Sequence, residues 1–441
     1  FYIAESTHTA GVIWVATDDG RLQITRNGGD SWVDVTPRNL KGAQINAIEV
    51  SPHEPGVAYI AVAGYKMNDF EPYIYKLTDF GKRWMRLDSD LPDDNFVRVV
   101  RADPEREGLL YAGSEGGLFV SFDDGDHWQS LNMNFPTVPI TDLRVRQNTL
   151  IAATQGRGFW ALDELTVIRQ LNVNLSEKRL HVFKPKPSSL MRWGGRTAAN
   201  EGKNPPSGVV FSYFLAEEFE GPLSIDIRDT DGTVVRTYSS EERDFDRCVM
   251  GNMTPRLAYR MKYPPMKPGL NQWTWDMRKE GLTCIDDIRL FAGFSGPTVT
   301  PGQYSVSVRI GDHSDSASFA LSADPRVDAS PEDYLFLDAK RSEAATMLNE
   351  LLEALDNARI ARARIEALVL DSGNNAALKA LSEKAVNKLN TWENLVTQTG
   401  YKTYEDEDSM PPMLDVHIRH VFDVIDRAGA PVSEGSLQRL S

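Results

Sequence analysis

Over the first 165 residues, apolar positions fall in short runs that stop at glycine-bearing turns. AESTHTAGVIWVATDDG (4–20), EVSPHEPGVAYIAVAGY (49–65) and RADPEREGLLYAGSEGG (101–117) share one order. Each passes from a strand end through a turn closing on Gly into an apolar strand, and then to a small-residue stop. The turn glycines Gly11, Gly56 and Gly108 are 45 and 52 residues apart. A further strand and a Trp follow each time, and Trp32, Trp84 and Trp128 are spaced by 52 and 44. Units of about 40–50 residues made of short strands predict a four-stranded blade per unit, which is the pattern of a β-propeller. A fourth unit, ITDLRVRQNTLIAATQGRGFWALDEL (140–165), keeps the strand–turn–strand order and lacks the terminal Trp turn.

The pattern then changes twice. Residues 168–206 are rich in Pro, Lys and Ser and read as a linker. Alternating strands resume over 207–327, with an Asp-Gly hairpin signal at 231–232, and predict an immunoglobulin-like β-sandwich. From Ser330 the apolar spacing becomes helical. Ser330-Pro331-Glu332 is a helix start, and DSGNN (371–375) and YEDEDSMPP (404–412) interrupt the helical pattern. Residues 330–441 are therefore expected to form a helical hairpin with a third helix, a small bundle. The fold class expected is multidomain and mainly β: about four blades over 1–167, then the sandwich, then the helices.

Composition narrows the partners. Among 441 residues, 48 are basic and 63 acidic, a net charge of −15, which disfavours nucleic acid and anionic membrane surfaces. No apolar run approaches the roughly 20 residues of a membrane span. The chain opens FYIAESTHTAG, without Met or a signal-peptide pattern, inside what reads as the innermost strand of the first unit. The expectation is a processed or truncated piece whose remaining propeller blades lie on an N-terminal segment or a separate chain. Cys248 and Cys284 are the two cysteines. They could be free thiols or form one disulfide, and spacing does not decide between them.

SFDDGDHW (121–128) has the look of a metal site, with three acids around a glycine. Its counterparts are TRNGGDSW (25–32) and LTDFGKRW (77–84), in register with the blades. All three resemble the Asp-box, the bacterial neuraminidase repeat Ser/Thr-x-Asp-x-Gly-x-Thr-Trp. The resemblance implies structural roles for Asn27, Asp79 and Asp123 as turn caps and for Gly29, Gly81 and Gly125 as permissive backbone. It implies that Trp32, Trp84 and Trp128 pack between blades. Asn27 replaces the acid of the first box and Leu77 the hydroxyl of the second, as a turn tolerates and a metal site does not. A calcium loop would also need a Glu at about its twelfth position. The residue there, counted from Ser121, is Asn132. No metal and no cofactor is expected.

The stretches SPHEPGVAYIAV, PYIYKLTDFGKRW, FVRVVRADPEREGLLYAGSEGGLFVSFDDGDHWQSLN and GRGFWALDEL resemble the C-terminal half of bacterial BNR-repeat, sortilin-like, glycosyl-hydrolase-like propeller proteins. The resemblance implies export to the periplasm, outer surface or medium. Three functions follow. One is a binding or scaffold propeller holding a protein or glycan. The second is a glycoside hydrolase with carboxylates partly on further blades, set roughly 5–9.5 Å apart. The third is a sortilin-like peptide receptor or secretion accessory. Gly-x-Ser-x-Gly, His-Glu-x-x-His and phosphate-loop motifs do not occur. GYKMNDFEPY (64–73) lengthens one blade and mixes aromatic with charged residues. Its Tyr65, Lys66, Asp69 and Glu71, with Arg157 as a neighbour, are the candidate ligand contacts.

Overall fold

The structure, a computed structural model, describes residues 2–440 except 39, 41, 192–205, 253–261, 291, 374 and 402–405. The chain divides into two compact units, Phe1–Leu171 and Asn172–Ser441.

The first unit contains four antiparallel meanders in chain order. Sheet one is Tyr2–Glu5 (β1), Ile13–Ala16 (β2), Leu22–Thr25 (β3) and Val33–Asp34 (β4). Sheet two is Gln44–Val50 (β5), Ala58–Ala63 (β6), Tyr73–Thr78 (β7) and Arg83–Arg86 (β8). Sheet three is Val97–Ala102 (β9), Leu110–Ser114 (β10), Leu118–Ser121 (β11) and Gln129–Ser130 (β12). Sheet four has Ile140–Arg146 (β13), Thr149–Thr154 (β14) and Phe159–Leu162 (β15). β1 packs beside β5, β5 beside β9, and β9 beside β13, so the first strand of each sheet abuts the next. This is the local arrangement of propeller blades. β6 and β10 are buried along their whole length, as strands covered on both faces must be. Their Val, Ile, Leu and Tyr side chains form two apolar clusters shared between adjacent sheets.

One backbone clasp recurs in three of the sheets. The amides of Gly28, Phe80 and Asp124 donate to the carbonyls of Gly11, Gly56 and Gly108 at 3.0, 2.9 and 2.7 Å. Each clasp ties the turn after the first strand to the turn after the third. The next residues, Gly29, Gly81 and Gly125, have φ of 108°, 85° and 94°, a region that favours glycine. In the first and third turns, side chains complete the loop. Thr25 Oγ1 accepts from Gly29 N at 3.0 Å, and Ser121 Oγ accepts from Gly125 N at 2.8 Å. Asn27 Oδ1 accepts from Ser31 N, and Asp123 Oδ1 from His127 N, at 3.0 and 2.9 Å. The second turn has Leu77 in place of the hydroxyl, and Asp79 has swung out to pair with Lys82 at 3.3 Å. The backbone clasp survives without the carboxylate.

The three tryptophans are not packed alike. Trp128 is buried, and its indole N–H donates to Leu87 O of sheet two at 2.6 Å. Trp84 is half-buried against Tyr75 of its own sheet, with ring centroids 5.9 Å apart. Trp32 is 42 % exposed. Asp124 also crosses between sheets, accepting from Tyr59 Oη at 2.5 Å and from Lys76.

In the second unit, Leu180–Val182 (β16), Val209–Leu215 (β18) and Gly269–Trp275 (β21) form one sheet. Ser188–Ser189 (β17), His313–Ser322 (β23), Gly302–Ile310 (β22), Leu223–Arg228 (β19) and Val234–Ser239 (β20) form the other, in that order. Both line one apolar cluster containing Phe211, Tyr213, Trp275 and Phe319. The expected linker is thus partly strand: β16 and β17 lie within 168–206, and 192–205 fall outside the described residues. Helix Pro331–Asp371 begins with a capping box in which Ser330 and Asp333 each bond the other's backbone amide. It packs against Ala376–Val396 and Leu414–Ala428. Their core also includes Val249, Leu282, Ile285, Ile288, Leu290 and Phe294. The helix Asp244–Asn252 and the segment carrying Leu282 to Phe294 therefore pack with the helices, while β21 between them stays in the first sheet of this unit, although the strand pattern suggested one continuous sandwich over 207–327. Cys248 and Cys284, joined in a disulfide, lie in these segments.

Candidate functional site

β7 and β8 pair with Tyr75 opposite Arg86 and Leu77 opposite Trp84. Side chains two apart on a strand share a face. Tyr73, Tyr75, Trp84 and Arg86 therefore stand together on one side of sheet two. The 64–73 segment curls over their edge. Its short 3-10 turn, Tyr65–Met67, ends at Asn68 in the left-handed region (φ 58°), which redirects the chain. The result is a cavity of ≈ 660 Å³ lined by Asn68, Asp69, Phe70, Glu71, Tyr73, Tyr75, Trp84, Arg86, Asp93 and Asp94.

The polar groups are anchored to one another. Tyr73 Oη donates to Asp69 Oδ2 at 2.8 Å, and Asp69 Oδ1 accepts from Glu71 N at 3.2 Å. The Arg86 guanidinium lies 4.6 Å above the Tyr73 ring and reaches Glu71 Oε2 at 3.3 Å. Its Nε donates to both oxygens of buried Asp88 at 2.7 and 2.6 Å. Burial raises the Asp88 carboxyl above its ordinary value, against the opposing pull of Arg86. Burial and the Asp69 carboxylate together raise the Tyr73 phenol, so it stays a donor at physiological pH. Phe70 is 46 % exposed, and Asp93 and Asp94 are exposed as well. The cavity thus offers flat aromatic surface beside fixed carboxylate acceptors and one guanidinium, a combination suited to hydroxyl-rich or amphipathic ligands.

Of the residues expected at a site, Asp69 and Glu71 line this cavity. Tyr65 turns away and stacks on Phe96, centroids 5.0 Å apart, and Lys66 donates to Gln44 Oε1 at 2.7 Å. Arg157 lies in the β14–β15 turn, where its amide bonds Thr154, and is not part of the lining. Tyr73, Tyr75, Trp84 and Arg86 were not anticipated. Their signal is the i, i+2 alternation in YIY and WMR, legible once the two strands are placed in register. Among the described residues no group of three or more His, Cys, Asp or Glu could hold a metal ion. No described helix is long and apolar enough to cross a membrane.

No protein-family model matches the chain. A 109-residue stretch is 28 % identical to the oligoxyloglucan-reducing end-specific xyloglucanase of Emericella nidulans, covering 24 % of this chain and 14 % of that enzyme. Among solved structures, the GH74 xyloglucanase of Xanthomonas campestris aligns at 14 % identity and TM-score 0.31, over 71 % of this chain and 44 % of its own. YCF48 from Cyanidioschyzon merolae aligns at 19 % and 0.28, over 37 % and 52 %. The chain therefore spans a seventh of the xyloglucanase sequence it matches and about half or less of these two solved structures.

Proposed function

We propose that this chain is part of an exported Asp-box β-propeller protein, with an immunoglobulin-like sandwich and a helical bundle, that binds a glycan without cleaving it. The observation that carries this reading is the sheet-two cavity, where Phe70, Tyr73 and Trp84 provide stacking surface beside Asp69, Glu71, Asp93 and Asp94. Sugar rings present apolar faces and a rim of hydroxyl donors, and such a lining complements both. The disulfide fits an oxidising compartment and so supports export.

The test is calorimetry with xyloglucan oligosaccharides, followed by a wider glycan array. Binding should weaken by about tenfold or more in Trp84→Ala, as expected for a central aromatic contact. Affinity unchanged in that variant removes the cavity from the reading. Glycoside hydrolysis is the second reading, favoured by the 28 % identity to a xyloglucanase. Release of shorter oligosaccharides by the purified protein, seen by chromatography, would replace binding with catalysis.

A further inference from the structure

The sheet-two cavity carries a charge that a site for neutral sugar does not need. Four of its ten lining residues are acidic, against 63 of 441 along the whole chain. Asp69 and Glu71 come from the stretch between β6 and β7, and Asp93 and Asp94 from the stretch between β8 and β9. Arg86, the cation of the lining, is already engaged. Its Nε donates to both oxygens of Asp88, its Nη2 donates to Glu71 Oε2 and Pro72 O, each at 3.3 Å, and its face lies over the Tyr73 ring. Asp88 therefore offsets Arg86 and leaves the four lining carboxylates in excess. Cations on the adjoining strands and segments do not restore the balance. Lys66 turns to Gln44 Oε1, Lys76 pairs with Asp124 on the other face of β7, and Arg98 is matched by Glu115 at 2.7 Å. Arg83 alternates with Trp84 and so falls on the far face of β8. Asp93 and Asp94 are exposed and have no hydrogen-bond or ion-pair partner among the described residues.

We propose that this cavity selects glycans whose sugars carry free ammonium groups, such as a chain of glucosamine; the inference rests on the reading of the cavity as a glycan site. The aromatic wall and the acids act together. Phe70 and Trp84 offer flat π faces, which stack on the apolar face of a sugar ring and also attract an ammonium. An ammonium brings three N–H donors, which the unpartnered carboxylates of Asp93 and Asp94 can accept as charge-assisted hydrogen bonds. The acids do not converge on one point, since among the described residues no group of three or more His, Cys, Asp or Glu could hold a metal ion. Carboxylates dispersed around an aromatic wall suit cations dispersed along a chain, one on each sugar, better than a single multivalent ion. N-acetylation removes the ligand's charge and a uronate reverses it, so both should be disfavoured.

The test is calorimetry on the whole protein with three chains of equal length: oligoglucosamine, its N-acetylated form and a cello-oligosaccharide. The free-amine chain should bind about tenfold or more tightly than either neutral chain. That ratio should shrink several-fold as salt rises from about 0.05 to about 0.5 M, because the acids are exposed. Asp93→Asn combined with Asp94→Asn removes two charges without breaking a hydrogen bond, and should bring the ratio down to near one. Equal affinity of the unaltered protein for all three chains overturns the charge selection and leaves the glycan reading standing. A preference that survives both high salt and the double variant does the same. Absence of binding by all three chains overturns both. Binding of an oligolysine peptide, with none of the free-amine sugar, also overturns the proposal and points to a peptide ligand.

Discussion

Sheets one to three and the helical part of the second unit solve the same problem, holding polar groups out of water, by opposite means. In the turns of those sheets, backbone polar groups are satisfied within a few dozen residues. The clasp of Gly28, Phe80 and Asp124 onto Gly11, Gly56 and Gly108 repeats with each meander. Around the helices, charges are buried and paired across long stretches of chain. Asp426 is 3 % exposed and meets Arg278 at 2.9 Å and Arg341 at 3.1 Å, while its Oδ1 accepts from Thr298 N at 2.8 Å. Glu393 similarly joins Arg359 and Arg362 at 2.8 and 2.6 Å. Redundant local bonds should lose little when one member is removed. A buried charge cluster should lose much, because each deletion leaves partners without water or counter-charge.

The largest effect should therefore be at Asp426. Asp426→Ala leaves Arg278 and Arg341 facing a vacancy and should destabilise the second unit by about 3–5 kcal/mol, read from urea unfolding. Opening the Cys248–Cys284 bridge by Cys248→Ser, which frees a loop of separation 36, should cost about 2–4 kcal/mol in the same unit. In the first unit, Asp123→Ala removes the acceptor for His127 N and should cost only about 1 kcal/mol. Asp79→Ala, at the same place in a turn that keeps its clasp without the carboxylate, should be close to neutral. Equal losses at Asp79 and Asp123 would break the comparison.

The two units should also answer pH with opposite sign. Burial alone would raise Asp426, but Arg278 and Arg341 outweigh it and hold the carboxyl below its ordinary 3.8. A depressed acid contributes stability fully above its unfolded value and loses it as pH falls through the folded value, so the second unit should weaken below about pH 4. Glu49 is raised to about 7, so the first unit should be most favoured below pH 4.5 and lose that contribution as pH climbs toward 7. In Glu49→Gln, the first unit's stability should respond less to pH across that window, as followed by thermal unfolding.

The same contrast explains what could be read from residues alone. The meanders were legible because their signals are local and repeated: a glycine turn, an apolar strand, a box and a Trp. The box Trp was less legible: Trp128 is buried, Trp84 half-buried and Trp32 exposed, a difference that three copies of one repeat do not specify. In the cavity of sheet two, Asp69 and Glu71 were visible as part of a long loop, whereas Tyr73, Tyr75, Trp84 and Arg86 look like ordinary alternating strand residues. Only register shows that they share a face. The charges around Asp426 were wholly hidden, since partners 85 and 128 positions away leave no pattern along the chain.

In sheets one to three the clasp fixes only one end of the meander. It joins the first and third turns, while the second turn, at the opposite end of the strands, takes no part in it. That second turn is short in sheets one, three and four and long in sheet two, where it becomes the 64–73 segment. Each repeat thus has a stitched hem and a loose one. Length and chemistry can change at the loose edge without unpicking the stitch, so new binding surfaces should arise there by insertion, one repeat at a time.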